Sequence, residues 1–391
     1  MALFDLLSHW VGYAIVYLFL LIAVAFLAGC LYIKRIHMKY DHIPGPPRDR
    51  FLGNGLVSAT NHEQWYKQRR IMDPAFSSLY LMGLMGTFNE RAEHLMDKLT
   101  KLADGKQEAK MLQLVNLVTL DVITKLKPRN RPLIKEVREA CRLLRSAGAA
   151  CISERRTAVQ NGDDVPKDIL TQILKSAGQE EEMTKEDEDF MLDNFVTFLI
   201  AGQETTANQL AFCIMALGRH PDILEKVQKE VDAVIGMKQE ISYDDLGELT
   251  YLTQVLKETL RMYPPGPATT RDVSDDMTIA GVHIPGGTIY LFDSYVCGRM
   301  EKFFKDPQTF DPDRFHPDAP KPYYCYFPFS LGPRGCLGQK FSQAKVVMAK
   351  LLQRFEFSLV PGQSFEIQEI GSLRPKGGVV CDVKHRGNNK M

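Results

Sequence analysis

Cys336 stands in the run YFPFSLGPRGCLGQKF, among Gly332, Gly335 and Gly338 and two residues after Arg334. A buried structural cysteine behaves as a small apolar residue and needs no such setting. Gly332 and Gly335 permit unusual φ and a loop whose amides turn toward a sulfur. Gly338, lacking a Cβ, is expected to open the following helix so that it can lie against a flat ring. A metal-bound cysteine is a thiolate. The other seven cysteines (Cys30, Cys141, Cys151, Cys213, Cys297, Cys325 and Cys381) form no CxxC pair, which argues against zinc and for a reducing compartment. One thiolate without partners suits an iron already held by a planar macrocycle, that is, haem b with Cys336 as axial ligand. Arg334 then supplies a cation for a haem propionate. The plainer reading, a buried cysteine in a glycine-rich turn, is disfavoured by the length of the motif.

Two further clusters carry chemistry. In AGQETT, a glycine and paired threonines interrupt an apolar helix, where each costs some stability. Ala201 and Gly202 leave room above the helix, and Thr205 can bond its own i−4 carbonyl and open a groove. Glu204 beside it adds an ionisable group, and acid plus hydroxyl are the parts of a proton relay. A kinked helix with a solvent-facing Glu is the alternative, but an acid in so apolar a segment is costly unless paired or functional. In ETLR, Glu258 and Arg261 lie at i and i+3 on one helix face. Leu256 and Leu260 flank them and Pro264-Pro265 follows, so burial is expected, with further partners; Arg314 in FDPDRF is the candidate third member.

The elements that must position these residues are mostly helical. Helical patterns cover NHEQWYKQRRIMDPAF, the stretch from Leu79 to Leu102, LIKEVREACRLLRSAGAACISERRTAV, the long apolar MLDNFVTFLIAGQETTANQLAFCIMALGRH, DILEKVQKEVDAVIG and TYLTQVLKETLRMYPP. Strand-like runs are few: MTIAGVHIP, TIYLFDSYV, EFSLVPG and GVVCDVKH. The fold class is mainly α with small β-sheets. Residues 1–40 read as a membrane anchor, because the run from Val11 to Ile33 has no charge and at ~1.5 Å per residue can cross a ~30 Å hydrocarbon core. Lys34, Arg35 and Lys39 follow it, placing the remainder in the cytosol. Residues 41–50 form a proline-rich, stiff linker, and 51–391 the catalytic domain. The 48 basic residues balance 48 acidic ones, so no nucleic-acid partner is implied.

Taken together, FSLGPRGCLG, AGQETT, ETLR and DPDRF resemble the motifs of the cytochrome P450 family, over most of the chain beyond residue 50. The resemblance implies that fold, preceded by a single transmembrane helix. It implies haem b bound by Cys336, propionates held by Trp65, Arg69 and Arg334 with Arg271 in addition, and protons delivered by Glu204 and Thr205. It also implies that Glu258, Arg261 and Arg314 brace the cysteine loop. Electrons would come from NADPH through NADPH–cytochrome P450 reductase, docked in part by Lys67, Arg70 and Lys340. Within the family, YDHIPGPPR, MLDNFVTFLIAG and KVVMAKLLQRFEFSLVPGQ look most like sterol side-chain hydroxylases of the endoplasmic-reticulum membrane. The expected reaction is hydroxylation of cholesterol at C24 with O2. A haem-thiolate isomerase would need no acid–hydroxyl relay, which Glu204 and Thr205 disfavour.

The chain also departs from that pattern. Typical members are longer by on the order of a hundred residues, and the shortfall falls near 50/51 and 125/126, with a two-residue seam near 343/344. Missing strands would expose an edge beside TIYLFDSYV, and a missing lid would uncover an apolar patch on the long helix. A shortened, inactive form that at most binds haem is therefore the competing expectation.

Overall fold

The computed structural model describes residues 56, 62–115, 133–177, 185–320, 324–340 and 344–387. The expected anchor over 1–40, the linker over 41–50 and the seams at 50/51 and 125/126 lie outside the described residues. Among the described residues no helix is long and apolar enough to cross a membrane.

The first helix, α1 (His62–Met72), runs into a 3-10 turn at Asp73–Phe76, where Pro74 ends the regular pattern. Ser77 then caps α2 (Ser78–Gly83), its hydroxyl accepting from the Tyr80 N–H. The stretch read as one helix from Leu79 to Leu102 is in fact two, broken at Leu84 before α3 (Met85–Asp104). After β1 (Ala109–Lys110) come α4 (Leu133–Asn161) and α5 (Ile169–Ala177). The central element is α6 (Lys185–Arg219), 35 residues long. From Thr206 to Leu217 every residue on it is buried, as befits a helix apolar all round. It packs against α4, α7 (Pro221–Val234), α9 (Thr250–Met262) and the strand β8 (Ser372–Pro375); the short α8 (Tyr243–Glu248) lies between α7 and α9 in the chain. Glu230 of α7 accepts from the Tyr251 and Leu252 N–H groups at 2.6 and 2.8 Å, satisfying donors that the start of α9 leaves without helical partners.

The strands form small sheets. β2 (Ala268–Val273) pairs antiparallel with β5 (Thr288–Asp293), and β3 (Met277–Ile279) with β4 (Val282–Ile284). MTIAGVHIP is thus a hairpin rather than one strand, turning where Ala280 and Gly281 have φ of 50° and 82°. TIYLFDSYV stops as a strand at Asp293, whose carboxylate caps α10 (Ser294–Cys297) by accepting from Val296 N–H. Further on, α11 (Lys345–Arg354) leads directly into β6 (Phe355–Leu359). The hairpin β7 (Ile367–Ile370) and β8 (Ser372–Pro375) turns at Gly371, φ 73°. Strand β9 (Val380–His385) closes a three-stranded sheet of order β1-β9-β6.

Two expectations change. The long helix carries no uncovered apolar patch between Thr206 and Leu217; exposed apolar surface lies instead on β5, where Ile289 and Leu291 are 68 % and 61 % exposed on one face. Their cross-strand partners are Asp272 and Thr270, which cannot cover them. The helix expected to open at Gly338 does not start there. Residues 337–340 form a turn, and α11 begins at Lys345 behind Ala344, which has φ 48°, ψ 17°. Left-handed backbone costs an alanine about 1 kcal/mol or more, because its Cβ crowds the carbonyl. Ala344→Gly is accordingly expected to raise stability by about 1 kcal/mol, read as a higher midpoint in urea unfolding with unchanged slope.

Candidate active site

The cysteine loop is held by its own backbone first. Cys336 N–H donates to Phe329 O at 2.8 Å and Gly335 N–H to Gly332 O at 2.9 Å. Gly332 has φ 76°, and a Cβ on Gly335 would sit 3.1 Å from the Gly332 oxygen, so both glycines answer to the shape of the turn. Two elements then grip it. From α1, Arg69 Nη1 donates to Gly335 O at 2.9 Å while its Nε pairs with Asp73 at 2.6 Å. Trp65, one turn earlier and buried, lies under the Arg334 guanidinium, whose carbon is 4.2 Å from the ring centroid, a cation–π arrangement. From β2, Arg271 reaches Ser330 Oγ at 3.3 Å and is steadied by Thr269 Oγ1 at 3.0 Å and Thr270 O at 2.8 Å.

The thiol is crowded by backbone yet the residue remains exposed. Burial pushes its pKa above the ordinary cysteine value, while the Gly338 N–H bonded to it and the Arg69 charge pull the other way. Gly338 sits so close that a Cβ there would lie 3.9 Å from the sulfur. Arg334 is lowered first by burial and then by the charge of Arg271. The two guanidiniums thus lie near enough to repel one another. Among the described residues no three His, Cys, Asp or Glu side chains converge on a metal position, so a bare ion would lack a donor set. One thiol with a glycine beside it, flanked by three arginines and a tryptophan, fits a macrocycle that brings its own nitrogens and two carboxylates.

On α6, Thr205 Oγ1 donates to Ala201 O at 2.6 Å, and Ala201 is exposed, so the helix surface opens at this turn. Glu204 turns elsewhere: its Oε1 accepts from Ser372 Oγ at 2.8 Å, and Ser372 accepts from Asn208 Nδ2 at 3.0 Å. The acid and the hydroxyl are adjacent in the chain but take separate partners. Ser372 carries no sequence signal, being 168 residues away; Asn208, at i+4 from Glu204, was visible as a same-face neighbour.

Behind the loop, Glu258 and Arg261 are fully buried and doubly bonded, at 2.7 and 2.8 Å. Arg314 Nε approaches Glu258 at 3.5 Å, and its Nη2 donates to Asp306 O at 2.8 Å. The residues read as docking cations are exposed but engaged: Lys67 pairs with Asp187 at 2.5 Å and Lys340 donates to Ser78 Oγ at 2.6 Å, and Arg70, likewise exposed, is not without a partner.

The family profile described as Cytochrome P450 matches residues 31–127 and 125–381. The chain belongs to the cytochrome P450 family. It is similar to Cytochrome P450 4d2 of Drosophila melanogaster, 29 % identical over 398 residues, covering 86 % of this chain and 78 % of that protein. It is similar to Cytochrome P450 4F12 of Homo sapiens, 30 % identical over 363 residues, covering 78 % and 69 %. It also resembles 11-oxo-beta-amyrin 30-oxidase of Glycyrrhiza uralensis, 29 % identical over 400 residues, covering 88 % and 76 %. Cytochromes P450 bind haem b through an axial cysteine thiolate and act as monooxygenases with O2 and a redox partner, and in this chain that cysteine is Cys336.

Removing one member of a buried ion pair leaves the other charge stranded, at a cost of about 3–5 kcal/mol. Glu258→Ala is therefore expected to lower stability by about that amount and to deplete haem-loaded protein, checked by thermal unfolding and by haem content per chain.

Proposed function

We propose that this cytochrome P450 is a sterol hydroxylase acting on the cholesterol side chain at C24. It would be held in the endoplasmic-reticulum membrane by residues 1–40, with its catalytic domain cytosolic, and take electrons from NADPH–cytochrome P450 reductase. The observation that carries the oxidase chemistry is the convergence of Trp65, Arg69 and Arg271 on the loop that bears Arg334 and the exposed residue Cys336. The sterol assignment rests on the likeness of YDHIPGPPR, MLDNFVTFLIAG and KVVMAKLLQRFEFSLVPGQ to sterol side-chain hydroxylases. The uncharged run before Lys34 supports it, since an anchored enzyme meets a bilayer-dissolved substrate where it is concentrated.

Haem b, once bound, supplies the iron chemistry by which O2 is activated. The chain's own groups do the rest. Gly338 N–H and Arg69 favour negative charge on the Cys336 sulfur. Arg69, Arg271 and Arg334 would hold the haem propionates, with Trp65 packed against the Arg334 guanidinium. Ala201 and Gly202 give close approach above the helix. Thr205, its own proton engaged by Ala201 O, offers lone pairs to an incoming donor, and Glu204 holds or releases a proton beside it. Glu258, Arg261 and Arg314 keep the support of the loop rigid. Lys67, Arg70 and Lys340 present positive charge to the reductase.

A second reading, a shortened form that binds haem without turning over sterol, is favoured by the left-handed Ala344 between loop and helix and by the exposed Ile289 and Leu291. Both readings are decided on one preparation. Carbon monoxide added to the reduced protein should give a strongly red-shifted absorbance band that Cys336→Ser abolishes; retention of the band in the variant overturns the thiolate assignment. With reductase and NADPH, cholesterol should yield 24-hydroxycholesterol. The band without sterol turnover establishes the second reading, and product from another lipid alone overturns the choice of sterol.

A further inference from the structure

Glu204 is held by a side-chain chain whose hydrogen-bond direction is fixed. Asn208 and Ser372 are 1 % and 5 % exposed, so neither exchanges its partner for water. Asn208 Nδ2 donates into Ser372 Oγ at 3.0 Å, and Ser372 Oγ lies 2.8 Å from Glu204 Oε1. A serine hydroxyl has one proton. With an amide donating into its oxygen, that proton goes to the carboxylate. The strand that delivers Ser372 is itself pinned: the hairpin turns at Gly371, φ 73°, and Leu373 N–H donates to Pro265 O at 2.9 Å. That bond ties the β7–β8 tip to the segment after α9, while the Asn208 amide ties it to α6.

We infer that Ser372, backed by Asn208, is a positioning residue for Glu204, committing Oε1 as a permanent acceptor so that Oε2 is the oxygen that gains and loses a proton. Thr205 completes the polarity. Its hydroxyl proton is spent on Ala201 O, so toward its neighbours it accepts. Oε2 thus offers the acid's proton and Thr205 Oγ1 its lone pairs as two separate, directed groups, a polarity that a freely rotating carboxylate would not keep. This inference rests on the proton-handling role given above to Glu204.

The test uses full-length, haem-loaded chains carrying Ser372→Ala, Ser372→Thr, Asn208→Ala and Glu204→Gln. The infrared difference between the unaltered chain and Glu204→Gln isolates the carboxyl band of Glu204, a readout independent of turnover. In Ser372→Ala that band should shift, and in Ser372→Thr return. Alongside it, the fraction of NADPH lost to hydrogen peroxide should rise about fivefold in Ser372→Ala, the effect of one ordinary hydrogen bond, with Asn208→Ala moving both readouts the same way. Peroxide loss in Glu204→Gln combined with unaltered band and peroxide fraction in Ser372→Ala overturns the positioning role alone. An unaltered peroxide fraction in Glu204→Gln overturns the proton-handling role and this inference with it.

Discussion

A guanidinium leaves water only where its N–H groups find oxygen, and Arg261 meets that condition from four directions. Glu258 takes Nε and Nη2, Gly298 O and Pro307 O take Nη1 at 2.5 and 2.8 Å, and Thr309 O takes Nη2 at 3.2 Å. Without that set the desolvation of two charges would exceed their attraction. The segment from Gly298 to Asp311 has little regular structure, so these bonds give it its course. Gly298 must be glycine-sized, since a Cβ would fall 2.5 Å from Arg261 O. Asp311 N–H closes the set on Glu258 at 2.8 Å. From here the chain passes to Tyr326, whose hydroxyl reaches Lys257 O at 3.1 Å, and then into the cysteine loop. Rigidity at the sulfur thus starts one layer behind it.

Environment, rather than residue type, separates the reactive cysteine from the inert ones. Cys213 is fully buried on α6 and its thiol is pushed up to about 12, desolvation far outweighing its hydrogen bond with Thr259. Cys381, in the β1-β9-β6 sheet, is also pushed up to about 12 by burial. Both stay protonated and act as small apolar side chains. Cys336 feels the same upward push, but an amide and a guanidinium oppose it. That opposition requires backbone N–H groups turned inward, which is what the glycine-bearing loop provides. The helix α6 shows the same economy: closed on all sides from Thr206 to Leu217, it is exposed at Ala201, one turn before Thr205.

Local chemistry made much of this legible. Pro74, Pro221 and the Pro264-Pro265 pair mark helix limits within a few residues, and the apolar run on α6 announces a central helix. The i, i+3 spacing of Glu258 and Arg261 and the i, i+4 spacing of Trp65 and Arg69 put each pair on one face before any tertiary contact is known. Long-range partners were not legible. Nothing near Glu204 points to Ser372, and nothing near Arg261 points to the carbonyls of Gly298 and Pro307, because a carbonyl leaves no mark in the sequence. The short strands β2, β7 and β8 were missed for a related reason: ATTRDV lacks an apolar alternation, and its pairing with β5 is set by tertiary context.

Strain at Ala344 follows from two anchors that cannot yield. On one side the cysteine loop is gripped by Arg69 and Arg271. On the other, α11 is locked in rotation: Lys350, fully buried, bonds Glu93 and donates to Gln239 O at 2.6 Å, while Arg354 takes both oxygens of Glu93 at 2.5 and 2.7 Å. Rotating α11 would therefore strand a buried ammonium. Shifting the loop would tear Gly335 O from Arg69. Between these two anchors Ala344 takes left-handed backbone, φ 48°, ψ 17°, a cost of about 1 kcal/mol or more and smaller than that of stranding a buried charge, about 3–5 kcal/mol.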